Sequence, residues 1–139
     1  MDKLSACVDI DVPFHDVDAM NFAWHGRYLK YFELARCRLL RLFDYDYPQM
    51  RESGYLWPIV ECYVKYVRSA AYAQKLCVEA TLLEYENRIK IAYLVRDAAT
   101  GEKMTKGYTV QVAVDALSRE LQFVSPDIVL KNVGKALTR

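Results

Sequence analysis

The stretch His15-Asp16-Val17-Asp18-Ala19-Met20-Asn21-Phe22-Ala23-Trp24-His25-Gly26 gathers both histidines of the chain, two aspartates, an asparagine and a tryptophan directly ahead of a helix-forming segment. A helix start offers unpaired amides and a partial positive charge. These can polarise a carbonyl and hold the oxyanion that forms when that carbonyl is attacked. A carboxylate beside them can attack, or can activate water. Carboxylate plus helix-end amides therefore suffices for acyl transfer to water. The residues alone leave a second reading open, in which the aspartates are solvated turn or capping residues. His15-Asp16-x-Asp18 has metal-ligand types, but with two histidines and no H-E-x-x-H or comparable spacing, no metal is expected. There is no G-x-S-x-G elbow, and five glycines supply no phosphate-cradling loop.

The flanking sequence predicts the elements that must position this stretch. Ala6 to Phe14 reads as a strand, with Val8, Ile10, Val12 and Phe14 alternating against polar neighbours. A helix is predicted from Gly26 to Phe43. Tyr28, Phe32, Ala35, Leu39 and Leu42 form its apolar stripe, and Lys30, Arg38 and Arg41 lie on the opposite arc. A short helix follows over Pro48 to Glu52, ended by Gly54. Strands are then predicted at Ile59 to Arg68, Lys75 to Tyr85, Arg88 to Asp97 and Glu102 to Ala116, with a short one at Arg119 to Phe123. Val60, Cys62, Val64 and Tyr66 share one face of the first of these, Ile89, Ile91, Tyr93 and Val95 alternate with Arg88, Lys90 and Arg96 in the third, and Tyr108, Val110, Val112 and Val114 share one face of the fourth. Pro126 opens a C-terminal amphipathic helix whose apolar residues are Ile128, Val129, Val133 and Leu137. A lone long helix must bury a wide stripe and the sheet must bury a face. The economical solution is an α+β fold, a curved antiparallel sheet of five or six strands wrapped around the helix. A Rossmann fold would need βα alternation that is missing.

The 139 residues fit one domain, 1–139. A hydrophobic share of 53% and a charged share of 27% are those of a globular protein rather than a disordered one. Nineteen Lys and Arg against eighteen Asp and Glu leave +1, too little basic excess for a dedicated nucleic-acid binder. No apolar run approaches the roughly 20 residues of a membrane span. Met1 to Ser5 lacks the basic-then-apolar opening of a signal peptide, so a cytoplasmic location is expected. Cys7, Cys37, Cys62 and Cys77 form no C-x-x-C pair, and free thiols are expected.

Phe14-x-Asp16-x-Asp18-Ala19, followed by Trp24-His25-Gly26-x-Tyr28-x-x-Tyr31-Phe32-Glu33-x-Ala35-Arg36, resembles the signature of hotdog-fold acyl-CoA thioesterases. The branch is that of 4-hydroxybenzoyl-CoA thioesterase and the Tol-Pal-associated acyl-CoA thioesterases. Tyr66-x-Arg68-Ser69-Ala70-x-Tyr72 resembles the family's second motif, with Ser69 where proline is frequent. The resemblance implies a hotdog fold and hydrolysis of an acyl-CoA or acyl-carrier-protein thioester to free acid and thiol. It implies Asp18 as nucleophile or general base and His25 as the group orienting thioester or water, with the amides around His25 and Gly26 receiving the thioester oxygen. Asn21, Phe22, Trp24, Gly26, Tyr66, Arg68 and Ser69 are the implied substrate contacts. Met20, Phe22 and Trp24 make the loop bulkier than is usual in the family, which either narrows the acyl pocket or packs at a subunit interface. Asp16 is implied to brace the loop, and Glu33 with Arg36 to form a local i,i+3 ion pair. Glu33 is also the second candidate for the reacting carboxylate. The resemblance implies no metal and no cofactor beyond the CoA or phosphopantetheine of the substrate. It implies a homo-oligomer, dimer or tetramer, with sites between subunits. Two alternatives stand beside this reading. One is a non-catalytic acyl-thioester-binding or scaffold hotdog protein. The other is a hotdog dehydratase or hydratase, which needs a histidine on the helix, and none follows His25.

Overall fold

Runs of alternating side chains become the antiparallel sheet of the computed structural model, which describes residues 3–139. Met1 and Asp2, which open the stretch read as lacking a signal peptide, lie outside the described residues. In chain order the elements are β1 (Ser5–Asp11), α1 (Tyr28–Leu42), α2 (Tyr47–Ser53), β2 (Tyr55–Leu56), β3 (Ile59–Tyr66), β4 (Lys75–Glu84), β5 (Ile89–Asp97), β6 (Lys103–Gln111), β7 (Val114–Asp115) and α3 (Asp127–Leu137). Five strands form one sheet in the order β1-β4-β5-β6-β3, every pair antiparallel, and β2 pairs with β7. β1 and β3 are thus opposite edges, and the segment carrying the candidate loop and α1 crosses the width of the sheet between them. No helix among the described residues is long and apolar enough to cross a membrane.

The core sits between α1 and one face of the sheet. Leu76, Val78, Ala80 and Leu82 of β4 and Ile89, Ile91, Tyr93 and Val95 of β5 are buried on that face, as strict alternation demands. α1 buries Tyr28, Tyr31, Phe32, Ala35, Arg36, Leu39 and Leu40, a stripe at steps of three and four. The Phe32 ring lies flat on Tyr93, centroids 4.4 Å apart and planes within 3°. That stack sets how closely the helix approaches β5 and β6. A Cβ on Gly107 of β6 would run into the Tyr63 carbonyl and come within 3.1 Å of Phe32 Cε2, so only glycine fits there. α2 begins at Asp46, whose carboxylate accepts from the Tyr47 amide at 2.8 Å while Gln49 Oε1 accepts from the Asp46 amide at 3.0 Å. It ends at Gly54 in left-handed backbone, φ 88°.

Several expectations change. β1 stops at Asp11, and Phe14 stands in a 3-10 turn with 73% of its surface exposed. Pro13 lacks the amide that would continue the ladder. α1 starts at Tyr28 after a 3-10 turn at His25–Arg27, and Leu42 is largely exposed because the stripe turns to Leu39 and Leu40 near the helix end. On β6 the helix-facing row is Thr105, Gly107, Thr109 and Gln111, while the row with Tyr108, Val110 and Val112 that hydropathy favours lies on the other face, where Val110 is nonetheless buried. The space under the Phe32–Tyr93 stack admits small and polar groups, and Tyr93 shares a 2.8 Å hydrogen bond with Thr109. β6 ends at Gln111, before the separate β7. Arg119 to Phe123 is not a strand. Asp115 Oδ1 accepts from the Leu117 and Ser118 amides, Arg119 takes φ 65°, and only the Val114–Leu121 bridge remains. In α3 the buried residues are Val129 and Val133, while Ile128 is exposed. Cys7 and Cys77 are joined in a disulfide rather than free, with Cα atoms 6.5 Å apart. The β1–β4 register places Cys77 opposite Asp9, two residues from Cys7, so both thiols share one face of neighbouring strands. A separation of 70 residues hid that adjacency in the sequence. Cys37 and Cys62 are free.

Candidate active site

The loop ahead of α1 folds as a small hairpin. Trp24 N donates to Asp16 O at 2.8 Å, Val17 bridges Ala23, and Asp18 N donates to Phe22 O at 2.9 Å. Asn21 closes the tip at φ 68°, a conformation that asparagine tolerates better than most residues. The Asp18 carboxylate is at that tip. Its Oδ1 accepts from the Met20 amide at 2.9 Å and the Phe22 amide at 3.3 Å, and Oδ2 has no partner among the described residues. The hairpin is then tied to the sheet side of the fold by Ala23 N donating to Ala70 O at 2.6 Å and by a bridge from Phe22 to Ala71.

Asp16 fastens the same hairpin to the helix. Its side chain is fully buried and accepts from Lys30 Nζ at 2.9 and 2.8 Å and from the Tyr31 hydroxyl at 2.7 Å. Arg27 Nε and His15 Nε2 each stand 3.6 Å away. Burial alone would raise the Asp16 pKa. The Lys30 and Tyr31 hydrogen bonds and the charges of Lys30 and His15 together outweigh it and hold the pKa below its ordinary value. Tyr31 moves the other way, pushed up by burial and by its bond to the Asp16 carboxylate. The bracing role is thus visible in the geometry, but the Lys30 partner was missed. Helical periodicity sends Lys30 to solvent, whereas its long stem reaches back over the first turn to Asp16.

His25 opens the 3-10 turn that leads into α1. Its carbonyl accepts from the Tyr28 amide and, at 2.8 Å, from the Tyr66 hydroxyl of β3. The His25 ring sits 4.8 Å from the Trp24 ring and 6.2 Å from the Tyr66 ring. Burial holds the Tyr66 phenol above its ordinary pKa, so it remains a donor. The His25 and Gly26 amides donate to no protein acceptor among the described residues. The Trp24 ring lies so close over Gly26 that a Cβ there would collide with it. The structure therefore brings Trp24, His25, Gly26 and Tyr66 into one cluster at the helix start. Asp18, Asn21 and Phe22 lie at the tip of the adjoining hairpin. Arg68 is engaged elsewhere, its Nε 2.9 Å from Glu102 Oε2, and Ser69 is exposed beside the buried Ala70. Glu33, on the next turn of α1, is 59% exposed and 3.5 Å from Arg36. A cleft of about 480 Å³ lies on the other face of the sheet, among Tyr63, Lys65, Lys103, Lys106 and Tyr108.

This arrangement offers a carboxylate with one free oxygen, unengaged amides at a helix start, and an aromatic wall. Residues 12–132 match the model of the thioesterase-like superfamily. The chain is 26% identical over 117 residues to the Bacillus subtilis protein named "Putative acyl-CoA thioesterase YneP", covering 83% of this chain and 84% of that one. Among solved structures it superposes on a 1,4-dihydroxy-2-naphthoyl-CoA thioesterase from Synechocystis with a TM-score of 0.83 at 15% identity, covering 94% of this chain and 96% of that one. It superposes on the DHNA-CoA thioesterase of Staphylococcus aureus with a TM-score of 0.82 at 22% identity, covering 96% and 89%.

Proposed function

The chain belongs to the thioesterase-like hotdog superfamily, and from that premise we propose that it hydrolyses an acyl-CoA thioester with Asp18 as the reacting carboxylate. The observation that carries this reading is the Asp18 carboxylate, with one oxygen unengaged, in the hairpin that runs directly into the free His25 and Gly26 amides. The thioester oxygen sits on those amides, which gain strength as it becomes an oxyanion. Asp18 takes a proton from water while the water oxygen bonds to the carbonyl carbon. The tetrahedral adduct then collapses, the C–S bond breaks, and the proton passes to the departing thiolate. In the nucleophilic variant Asp18 itself forms the new C–O bond, the C–S bond breaks and the thiolate leaves with a proton from solvent, and water then cleaves the mixed anhydride to regenerate Asp18 and release the acid. Tyr66 fixes the His25 carbonyl and with it the tilt of the turn that presents the amides. Trp24, Phe22 and His25 wall the thioester end of the substrate. The acyl-CoA thioesterases to which the chain is similar favour CoA over a carrier protein as the thiol.

We place this site at the junction of two subunits. β3 is an edge strand whose outer backbone is unpaired among the described residues, and it exposes Ile59, Val60, Tyr63 and Tyr66, with Val67 just beyond its end. A second copy pairing there would cover this edge beside the Tyr66–His25 contact. The test combines two measurements. Release of free CoA from a panel of aryl and alkyl acyl-CoAs is followed directly by chromatography, because exposed Cys62 would react with a thiol dye. Asp18→Asn should fold and assemble normally and lose about two to four powers of ten in turnover, while Glu33→Gln keeps most of it. The reverse order moves the chemistry to the helix. Sedimentation at micromolar concentration should show an oligomer that Val60→Lys weakens, and an active monomer would sink the subunit-junction reading.

A further inference from the structure

Arg36 is the buried charge that the proposed chemistry does not use. It is 4% exposed, in the middle of α1. Its contacts are weak for a buried cation. One terminal nitrogen donates to the Tyr93 hydroxyl at 3.4 Å, and the other to the Tyr47 hydroxyl at 3.1 Å and to Glu33 at 3.5 Å. The two tyrosines are neutral acceptors, and the Glu33 side chain is 59% exposed to water. Arg36 Nε is buried with no partner among the described residues. A buried guanidinium whose carboxylate partner stands 3.5 Å off and largely in water is costly to keep. Arginine does not shed its proton to relieve that cost.

The same side chain lines a cleft of about 190 Å³ between α1 and the β3 edge, together with Leu29, Phe32, Glu33, Ile59, Cys62 and Thr109. The wall is thus mostly apolar along its length, with a cation in it. Leu29, Phe32 or Glu33, and Arg36 are successive turns of one helix face, and that helix begins at the His25–Gly26 amides. At 1.5 Å per residue Arg36 lies about 12 Å along the axis from Tyr28, and helical side chains lean back toward the N-terminus. An apolar cavity of roughly 150 Å³ is known to accept a benzene-sized molecule, so this cleft holds one ring or a short chain.

Resting on the thioesterase reading, we infer that this cleft is the acyl pocket and that Arg36 selects compact acyl groups ending in a carboxylate. The thioester end sits at the helix start, the hydrocarbon lies on Leu29, Phe32 and Ile59, and the distal carboxylate gives Arg36 a second anionic partner beside the solvent-exposed Glu33.

The test uses the full-length protein and two pairs of free acids, adipate against hexanoate and terephthalate against benzoate, with dissociation constants from calorimetric titration. The matching thioesters, adipoyl-CoA and hexanoyl-CoA, are compared by kcat/KM. Hydrogen bonds to a charged group predict that at least one dicarboxylate binds about tenfold to a hundredfold tighter than its monoacid partner. Arg36→Met, checked for folding by circular dichroism, should erase or invert that ratio, and Arg36→Lys should retain part of it. Wild-type protein that binds neither dicarboxylate more tightly overturns the inference, whether or not Arg36→Met folds. So does a folded Arg36→Met with an unchanged ratio. If no thioester is cleaved but the Arg36-dependent preference among free acids is present, the selectivity stands and the hydrolase reading falls. If thioesters are cleaved without preference, the hydrolase reading stands and the role of Arg36 falls.

Discussion

Replacing Asp16 by asparagine keeps the side chain's size and removes the charge on which Lys30 and Tyr31 converge. The cost follows from the exposure of each partner. Lys30 and Arg27 are 41% and 46% exposed, so both can turn into water, and their loss is close to that of a surface ion pair, together about 1 kcal/mol. Tyr31 is buried and cannot turn away. Its hydroxyl would donate to an amide oxygen instead of a carboxylate, exchanging a charged hydrogen bond for a neutral one at a loss of about 1 kcal/mol. The expected destabilisation is therefore about 2 kcal/mol, which for a chain of this length lowers Tm by about 7 °C. Its pH dependence has a definite sign. The folded pKa of Asp16 is depressed, so its stabilisation is present above the ordinary value of 3.8 and is lost as pH falls through the folded value beneath it. Urea melts followed by the fluorescence of Trp24 and Trp57, at fixed protein concentration, should show the gap between wild type and Asp16→Asn at neutral pH. The gap should close in acid. Equal midpoints at neutral pH, or a gap indifferent to acid, would refute the claim that the carboxylate charge holds the hairpin to α1.

Tyr66→Phe removes the donor to the His25 carbonyl. It should cost about 0.5–1.5 kcal/mol, read in steady-state kinetics as a severalfold fall in kcat with KM little changed. Gly107→Ala drives a methyl into the Tyr63 carbonyl and the Phe32 ring, and a loss of about 1–3 kcal/mol is expected in chemical denaturation.

The strands at the centre of the sheet were legible because both neighbours enforce alternation. β4 and β5 bury the rows that periodicity selects. On β6 hydropathy marks the row that faces away from the helix. The Phe32–Tyr93 stack fills the volume beneath it, so the inward row had to be small and polar, and hydropathy pointed outward. The hairpin tip was legible through Asn21, whose residue type announces the backbone it adopts. Periodicity could not show that Lys30 bends back to Asp16, nor that Arg36, paired with Glu33 at 3.5 Å as its i,i+3 spacing implies, is itself buried. A helical wheel records direction, and what a long side chain reaches depends on elements distant in sequence. The Cys7–Cys77 adjacency was invisible for the same reason, since only the strand register creates it.

The hairpin from Asp16 to Trp24 is fastened on both flanks, to α1 through the buried Asp16 carboxylate and to residues 70 and 71 through Ala23 and Phe22. A segment anchored this way cannot act as a flap, because swinging over a ligand would tear a buried ion pair from one side and backbone pairing from the other. Its carboxylate and the neighbouring amides are oriented before any ligand arrives, and little rearrangement accompanies the developing charge. What travels during each cycle is then the acyl group and its thiol carrier, threading past a fixed frame. On the proposed hydrolase reading, no closing of the protein around them enters the tempo of turnover.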